Sequence, residues 1–289
     1  MTSSPLSIHP FPARMAPEVA LTALDNLERK SATVLDPMTG SGTTLVSAKL
    51  RGYHAIGYDS DPLAVLIARA WGSCFPPSRL KKSSQRVLLR AHHLYETGGR
   101  CPSYPEGADA ETQAFIRFWF DKTNRRQLAS LSAAILEETD ARLRGLLWCG
   151  FSRLIIAKRH GASLARDLSH SRPHRSLKTS SLRPLREFDE SIAYIIRRAP
   201  FVNCSRSQGK LLVRRGEARR LPLSDGSVSL VLTSPPYLNA IDYLRAHKFS
   251  LIWMGWTIGD LSRLRSQTIG NPSALPGTLL TCPGKFGPG

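Results

Sequence analysis

The chain has 289 residues, 42% of them hydrophobic, and a formal net charge of +18. That is enough material for one large core or two small ones. No apolar run reaches the roughly 18 residues that a membrane-spanning helix requires. The charge points to a polyanion, nucleic acid above all. Of the 40 basic residues 30 are arginine, and from Arg153 to Arg220 there are 17 basic and 5 acidic residues, so +12 of the +18 sits in 68 positions. A GC-rich genome raises arginine everywhere; it does not cluster it. The five cysteines (Cys74, Cys101, Cys149, Cys204, Cys282) include no CxxC pair. They predict free thiols in a reducing cytoplasm, with neither a disulfide frame nor a metal site. The opening "MTSSPLSIHPFPARM" has neither the basic start nor the apolar centre of a signal peptide.

In chain order, residues 31–70 are the clearest unit. "ATVLD" (Ala32 to Asp36) is a short apolar strand, "PMTGSG" a tight turn, and "TTLVSAKLRG" a helix ending at Gly52. "HAIGYD" (His54 to Asp59) is a second strand, and "DPLAVLIARAW" a second helix with Pro62 near its start, where proline is tolerated. The βαβα pattern predicts an α/β fold with a doubly wound, mostly parallel, Rossmann-like sheet. From 71 to 205 the pattern changes. "ETQAFIRFWFD", "NRRQLASLSAAILEETDARLRGLLWCGFSRLIIAKRH" and "EFDESIAYIIRRA" have helical periodicity. The stretch from His160 to Arg186 between them is basic, rich in serine and proline, and reads as loop. Strands resume near Leu211–Arg214 and Val228–Leu232, with helices at about Ala240–Trp253 and Gly259–Arg265. The predicted organisation is one discontinuous α/β domain, 1–70 and 206–270, a mainly helical insertion, 71–205, and a disordered Gly/Pro-rich tail, 271–289.

Two loops carry the chemistry. The turn "DPMTGSGTT" lets a ligand approach the backbone and offers it the free N–H groups of a helix N-terminus. It lacks the lysine of a P-loop, and Leu45 takes the third glycine position of a dinucleotide fingerprint. A nucleoside ligand without a pyrophosphate remains, with Asp59 placed to accept from both ribose hydroxyls. The plainer alternative is that Gly40 and Gly42 serve only a tight turn. The second loop, "TSPPY", ends a strand in a stiff shelf at the carboxyl edge of the sheet, where such folds bind ligands. Its prolines remove two backbone donors and leave carbonyls free to accept. The Ser234 hydroxyl, the Pro235 carbonyl and the Tyr237 face suit a planar ring bearing an amine. The alternative is a turn plus a core tyrosine.

"DPMTGSGTT" and "TSPPY" resemble the methyl-donor and catalytic motifs of the amino-group DNA methyltransferases, which modify cytosine N4 or adenine N6. Met38 stands where that family usually has phenylalanine. "HPFPARMAP" (His9 to Pro17) is similar to the segment that helps hold the donor. "GEARRLPLSDGSVSLVLTSPPY" is similar to the approach to the catalytic motif, with Glu217 where aspartate is commoner. "SHSRPHR" and "HKFSLIWMG" also look familial. The resemblance spans most of residues 8–270.

The resemblance implies transfer of a methyl group from S-adenosyl-L-methionine to the exocyclic amine of a base flipped out of double-stranded DNA. It implies donor contacts from Phe11, Asp36, Pro37, Gly40, Ser41, Gly42, Thr43, Thr44, Asp59, Ser60, Asp61 and Glu217. It implies a catalytic shelf of Ser234, Pro235, Pro236 and Tyr237, whose aromatic face returns about 1–3 kcal/mol of the cost of unstacking. SPPY goes more often with cytosine N4 than with adenine N6. The insertion would carry target recognition, with Arg172, His174 and Arg175 as first DNA contacts. A cognate restriction endonuclease is an implied functional partner. About fifty residues follow Tyr237, against three further strands in related sheets, which predicts a C-terminally truncated product with an exposed apolar sheet edge. An adenine N6 enzyme, an RNA base methyltransferase and an inactive DNA-binding remnant are the other readings.

Overall fold

The computed structural model describes residues 4–12, 14–27, 31–97, 103–158, 160–170, 173–200, 209–235 and 242–267. Helix α1 (Pro17–Asp25) precedes strand β1 (Thr33–Asp36), helix α2 (Thr43–Leu50), strand β2 (His54–Asp59) and helix α3 (Pro62–Gly72). Helices α4 (Pro77–Glu96), α5 (Ala110–Trp119), α6 (Lys122–Leu136) and α7 (Ala141–Ile155) follow. Then come two-residue strands β3 (Ala165–Arg166) and β4 (His174–Arg175), helix α8 (Pro184–Arg198), and strands β5 (Leu211–Arg215) and β6 (Leu230–Val231). Helices α9 (Leu244–Leu251) and α10 (Ile258–Gln267) end the described chain.

The main sheet has the order β5-β2-β1-β6, and every pairing in it is parallel. This is the α/β, Rossmann-like architecture the βαβα pattern predicts. β1 is central and Val34, Leu35 and Asp36 are buried, as a strand covered on both faces requires. The chain leaves β1 towards β2 on one side and later returns as β6 on the other. The carboxyl ends of β1 and β6 therefore flank the point where strand order reverses, which is where such sheets take ligands.

Helix α3 explains how the sheet and the helices are joined. Its sequence, PLAVLIARAWG, is apolar on all sides, and ten of its eleven residues are buried, as befits a helix enclosed all round. Val65 and Ala68 face a small core with Leu24, Val34, Leu45, Ala48, Ala55 and Val213. Leu63, Leu66, Ile67 and Trp71 face a larger one with Leu146, Trp148, Phe151, Phe188, Phe249 and Trp253. The helices of 71–205 thus share a core with α3 and α9.

Several details differ from the sequence expectations. α1 and α4 were not anticipated as separate helices; α1 starts at a proline, and α4 buries Leu80, Ser83, Ser84, Val87 and Ala91 along one face. The stretch from His160 to Arg186 is not all loop: β3 and β4 form an antiparallel ribbon. β6 is shorter than 228–232, yet its ladder bonds run from Ser229 N–H to Thr33 O (2.8 Å) and from Leu232 N–H to Leu35 O (2.9 Å). Among the described residues no strand pairs with the outer side of β6, and Val231 there is 53% exposed. The cysteine expectation needs correction: Cys149 is a buried free thiol, but Cys74 is disulfide-bonded. The predicted tail at 271–289 lies outside the described residues. No described helix is long and apolar enough to cross a membrane, and no described His, Cys, Asp and Glu cluster could hold a metal.

Candidate functional site

The site grows from the turn after β1. Gly40 and Gly42 both have left-handed backbone, with φ of +51° and +96°, which other residues adopt only with strain. A side chain at Gly42 would also meet Ala68 Cβ of α3 at 2.9 Å. The turn is tied to the next crossover by one carboxylate. Asp59 accepts from Gly40 N–H at 2.8 Å and from Asp61 N–H at 2.9 Å. Thr39 N–H also donates to Tyr58 O at 2.9 Å. Asp61 caps α3, accepting from Leu63 N–H at 2.8 Å, and its other oxygen holds His247 Nδ1 of α9. Ser41 is buried and Ser60 and Pro37 are half-buried beside these acids. Thr44 donates to Met15 Sδ at 3.7 Å.

Three carboxylates therefore crowd one turn in a strongly cationic protein. Burial, and then the neighbouring Asp61, pushes the pKa of Asp59 up to about 7. Burial likewise raises Asp36, against its hydrogen bonds with Thr233 and Met38. A ligand bearing positive charge would relieve this crowding. The hydroxyls of Thr39 and Thr43 are buried with no partner among the described residues. Buried polar atoms of this kind normally have one. The N-cap of α2 is Gly42, which offers no side-chain cap, so the first backbone donors of that helix are also unclaimed. The turn thus has a negative field, free hydroxyls and free N–H groups, which together fit an amino acid linked to a cationic nucleoside.

Phe11 closes this site. It lies where a Gly40 side chain would meet its ring at 3.5 Å. It stacks on Tyr243 at 5.6 Å and leans on His247 at 5.0 Å. Glu217 lies two residues beyond β5, whose end is joined to β2 by Gly216 N–H to Asp59 O at 3.0 Å. Its carboxylate is engaged by Arg219 at 3.1 Å.

The two motif loops meet at Asp36. Thr233 Oγ1 donates to Asp36 Oδ1 at 2.7 Å, across 197 positions of sequence, and Met38 N–H donates to the same oxygen at 3.1 Å. Ser234 and Pro235 follow directly and are exposed. Pro236 and Tyr237 lie outside the described residues, as does Arg172. His174 and Arg175 are exposed on the β3–β4 ribbon, His174 at 3.6 Å from Asp167 and Arg175 over the Phe118 ring at 4.7 Å. Sequence reasoning missed Thr233, Tyr243 and His247 as site residues. The only signal for the last was its place in "HKFSLIWMG", since nothing local joins it to Asp61.

Comparison with known proteins agrees with this geometry. Residues 2–70, which hold Phe11 and the glycine turn, match the DNA methylase family N6_N4_Mtase. The chain is 27% identical over 274 residues to the type II methyltransferase M.BsoBI of Geobacillus stearothermophilus, covering 85% of this chain and 52% of that protein. It is 22% identical over 273 residues to the type II methyltransferase M.MvaI of Kocuria varians, covering 89% and 59%. It is 33% identical over 122 residues to the type II methyltransferase M.MjaII of Methanocaldococcus jannaschii, covering 42% and 23%. The chain spans little more than half the length of the first two. No solved structure matches it. Over residues 2–70 the chain is thus similar to the amino-group (N6/N4) DNA methylase family.

Proposed function

We propose that the chain is a site-specific DNA methyltransferase that moves a methyl group from S-adenosyl-L-methionine to the exocyclic amine of a flipped base, with cytosine N4 as the acceptor. The observation that carries this reading is the Thr233–Asp36 bond of 2.7 Å. It sets the Ser234-Pro235 step against the end of the strand that begins the glycine turn.

The donor, when bound, supplies an electrophilic sulfonium methyl. Pro37 to Thr44 cradle its amino-acid end, Asp59 accepts from its ribose, and Asp61 and Phe11 border its adenine. Ser60 lines the same edge and Glu217 approaches the adenine amine. On the acceptor side an exocyclic amine is a weak nucleophile, because its lone pair is delocalised into the ring. The Ser234 hydroxyl and the Pro235 carbonyl accept hydrogen bonds from it and draw the nitrogen towards tetrahedral geometry, while Pro236 and Tyr237 complete the shelf. The new C–N bond forms as the S–CH3 bond breaks, and the surplus amine proton leaves to solvent. Holding the two groups in line supplies roughly 7–11 kcal/mol. No cysteine nucleophile enters.

On the same reading 1–70 and 206–270 do the chemistry, and 71–205 carries target recognition through Arg172, His174 and Arg175. A cytoplasmic setting and a restriction endonuclease of matching specificity go with it.

The test is transfer of labelled methyl from S-adenosyl-L-methionine to mixed-sequence duplex DNA, digested afterwards to nucleosides. Label in N4-methylcytosine, reduced about 10²-fold or more in Ser234→Ala with donor affinity unchanged, is the expected result. Label in N6-methyladenine keeps the mechanism and corrects the base. Label only when RNA replaces DNA corrects the substrate. Absence of label from protein that binds both donor and DNA makes the chain a DNA-binding remnant.

A further inference from the structure

Outside this site two arginines stack on one aromatic ring, and a third lies close enough to feel their charge. The Arg153 guanidinium lies 3.6 Å from the Tyr194 ring centroid and that of Arg198 lies 4.5 Å from it. Arg14 belongs to the same group: burial lowers its pKa and Arg198 adds to the lowering, while Tyr194 and Glu18 oppose it. Arg153 is likewise lowered by burial, with Cys149 and Tyr194 opposing the shift and Arg198 adding slightly to it. Its Nη1 donates to Ile8 O at 3.1 Å, but its Nε is buried with no partner among the described residues.

Neighbouring arginines behave otherwise. Arg197 is paired with Glu190 at 2.6 Å and Arg183 lies 3.8 Å from Asp121. Among the described residues no ion pair holds Arg153 or Arg198, while Arg14 has the charge of Glu18 near it. Arg153 and Arg198 sit in the last turns of α7 and α8, where the helix dipole favours a cation. That accounts for one guanidinium at each helix end. It does not account for two guanidiniums meeting on one ring with a third beside them and Glu18 as the one carboxylate acting on the group.

Location narrows the ligand. Ile8, which Arg153 holds, is three residues from Phe11, and three residues span at most about 11 Å. The cluster is therefore anchored to the segment that carries Phe11. It also falls largely within the segment that carries +12 of the net charge. Resting on the reading of the chain as a DNA methyltransferase, we propose that Arg14, Arg153 and Arg198 form an anion site around Tyr194 that grips a phosphodiester of the substrate backbone. Such a grip beside the crevice would hold the strand from which the target base is drawn. Phosphate contacts of this kind position a nucleic acid without reading its sequence.

The experiment is a titration of full-length protein onto labelled mixed-sequence duplex DNA across a salt series, with donor affinity measured in parallel. Arg198→Ala removes one cationic head outside the donor-holding segment His9–Pro17 and leaves Arg153 in place. The slope of log affinity against log salt is expected to become shallower by about 0.9 for each phosphate no longer neutralised, equally for all sequences, with donor affinity unchanged. Arg198→Lys is expected to restore most of the slope, since charge and not packing is at stake. DNA binding with an unaltered slope would overturn the proposal. So would weakened donor binding with an unaltered slope, because the anion would then be the donor's carboxylate. Failure of the unsubstituted protein to bind DNA at all would instead sink the methyltransferase reading on which the proposal rests.

Discussion

The two sides of the crevice are built differently. On the glycine-turn side nearly everything is packed and tied: Asp36, Thr39, Ser41, Thr43, Thr44 and Asp61 are buried, and Asp59 joins two turns through two backbone N–H groups. On the other side Ser234 and Pro235 are exposed, and they follow a two-residue edge strand with Val231 half open to solvent. On the proposed function the difference follows from what each side has to accept. A small ligand of constant shape and charge can be met by a preformed cradle, whose ordering cost is met during folding. A base that arrives on a polymer needs an open approach, and its recognition energy comes from the polymer's phosphates and from stacking.

The comparison can be broken most sharply at Asp59. Asp59→Ala frees two backbone donors and removes the proposed ribose acceptor. Stability should fall by roughly 2–4 kcal/mol and donor affinity by about 10²-fold, read by urea unfolding and by calorimetric titration. The pH dependence carries a definite sign. The folded state holds the Asp59 proton up to about 7, while the unfolded chain releases it near 3.8. The folded state thus binds more protons across that window, and the contribution of Asp59 to stability declines as pH rises from about 4 to about 7. The ionised form is the better acceptor, so donor affinity should rise over the upper part of the same window. Asp59→Asn should flatten both profiles. A donor affinity that falls with rising pH would show that the neutral acid is the binding form.

A smaller effect is expected at His247. His247→Leu leaves a buried Asp61 oxygen without its partner, at a cost of about 1–3 kcal/mol. It also withdraws one wall from Phe11. The donor KM should rise with little change in kcat, and His247→Asn, which can still donate to Asp61, should recover much of the loss. A fall in kcat at unchanged KM would place His247 with the acceptor side instead. The mildest expectation concerns the bridge between the sides. Thr233→Val keeps the shape and deletes one hydrogen bond, about 1 kcal/mol. Turnover should drop about fivefold at constant donor affinity. Equal loss in both would mean that the two sides are one coupled unit.

Much of this was legible in the sequence. The βαβα order of 31–70, the tight glycine turn and the acids at the ends of β1 and β2 are local properties, since a short apolar run, a GxG turn and a following helix constrain one another within forty residues. β5 and β6 were visible for the same reason. The β3–β4 ribbon was hidden because two residues per strand make no period. α4 was hidden because its buried face includes Ser83 and Ser84. Ser83 is satisfied by Glu138, and Ser84 by Lys81 O at 2.9 Å.

By itself the sequence determined the βαβα succession of the first unit, the presence of the tight glycine turn and the residue types of both loops, because each depends on neighbours in the chain. Tertiary structure decided which of these groups meet. Thr233 finds Asp36, His247 finds Asp61 and Phe11 covers Gly40 only because the parallel register of β1 with β6 and the packing of α9 on α3 bring distant segments to one rim. It also decided the charge state of Asp59, since burial depends on everything that surrounds a group and on almost nothing beside it in sequence.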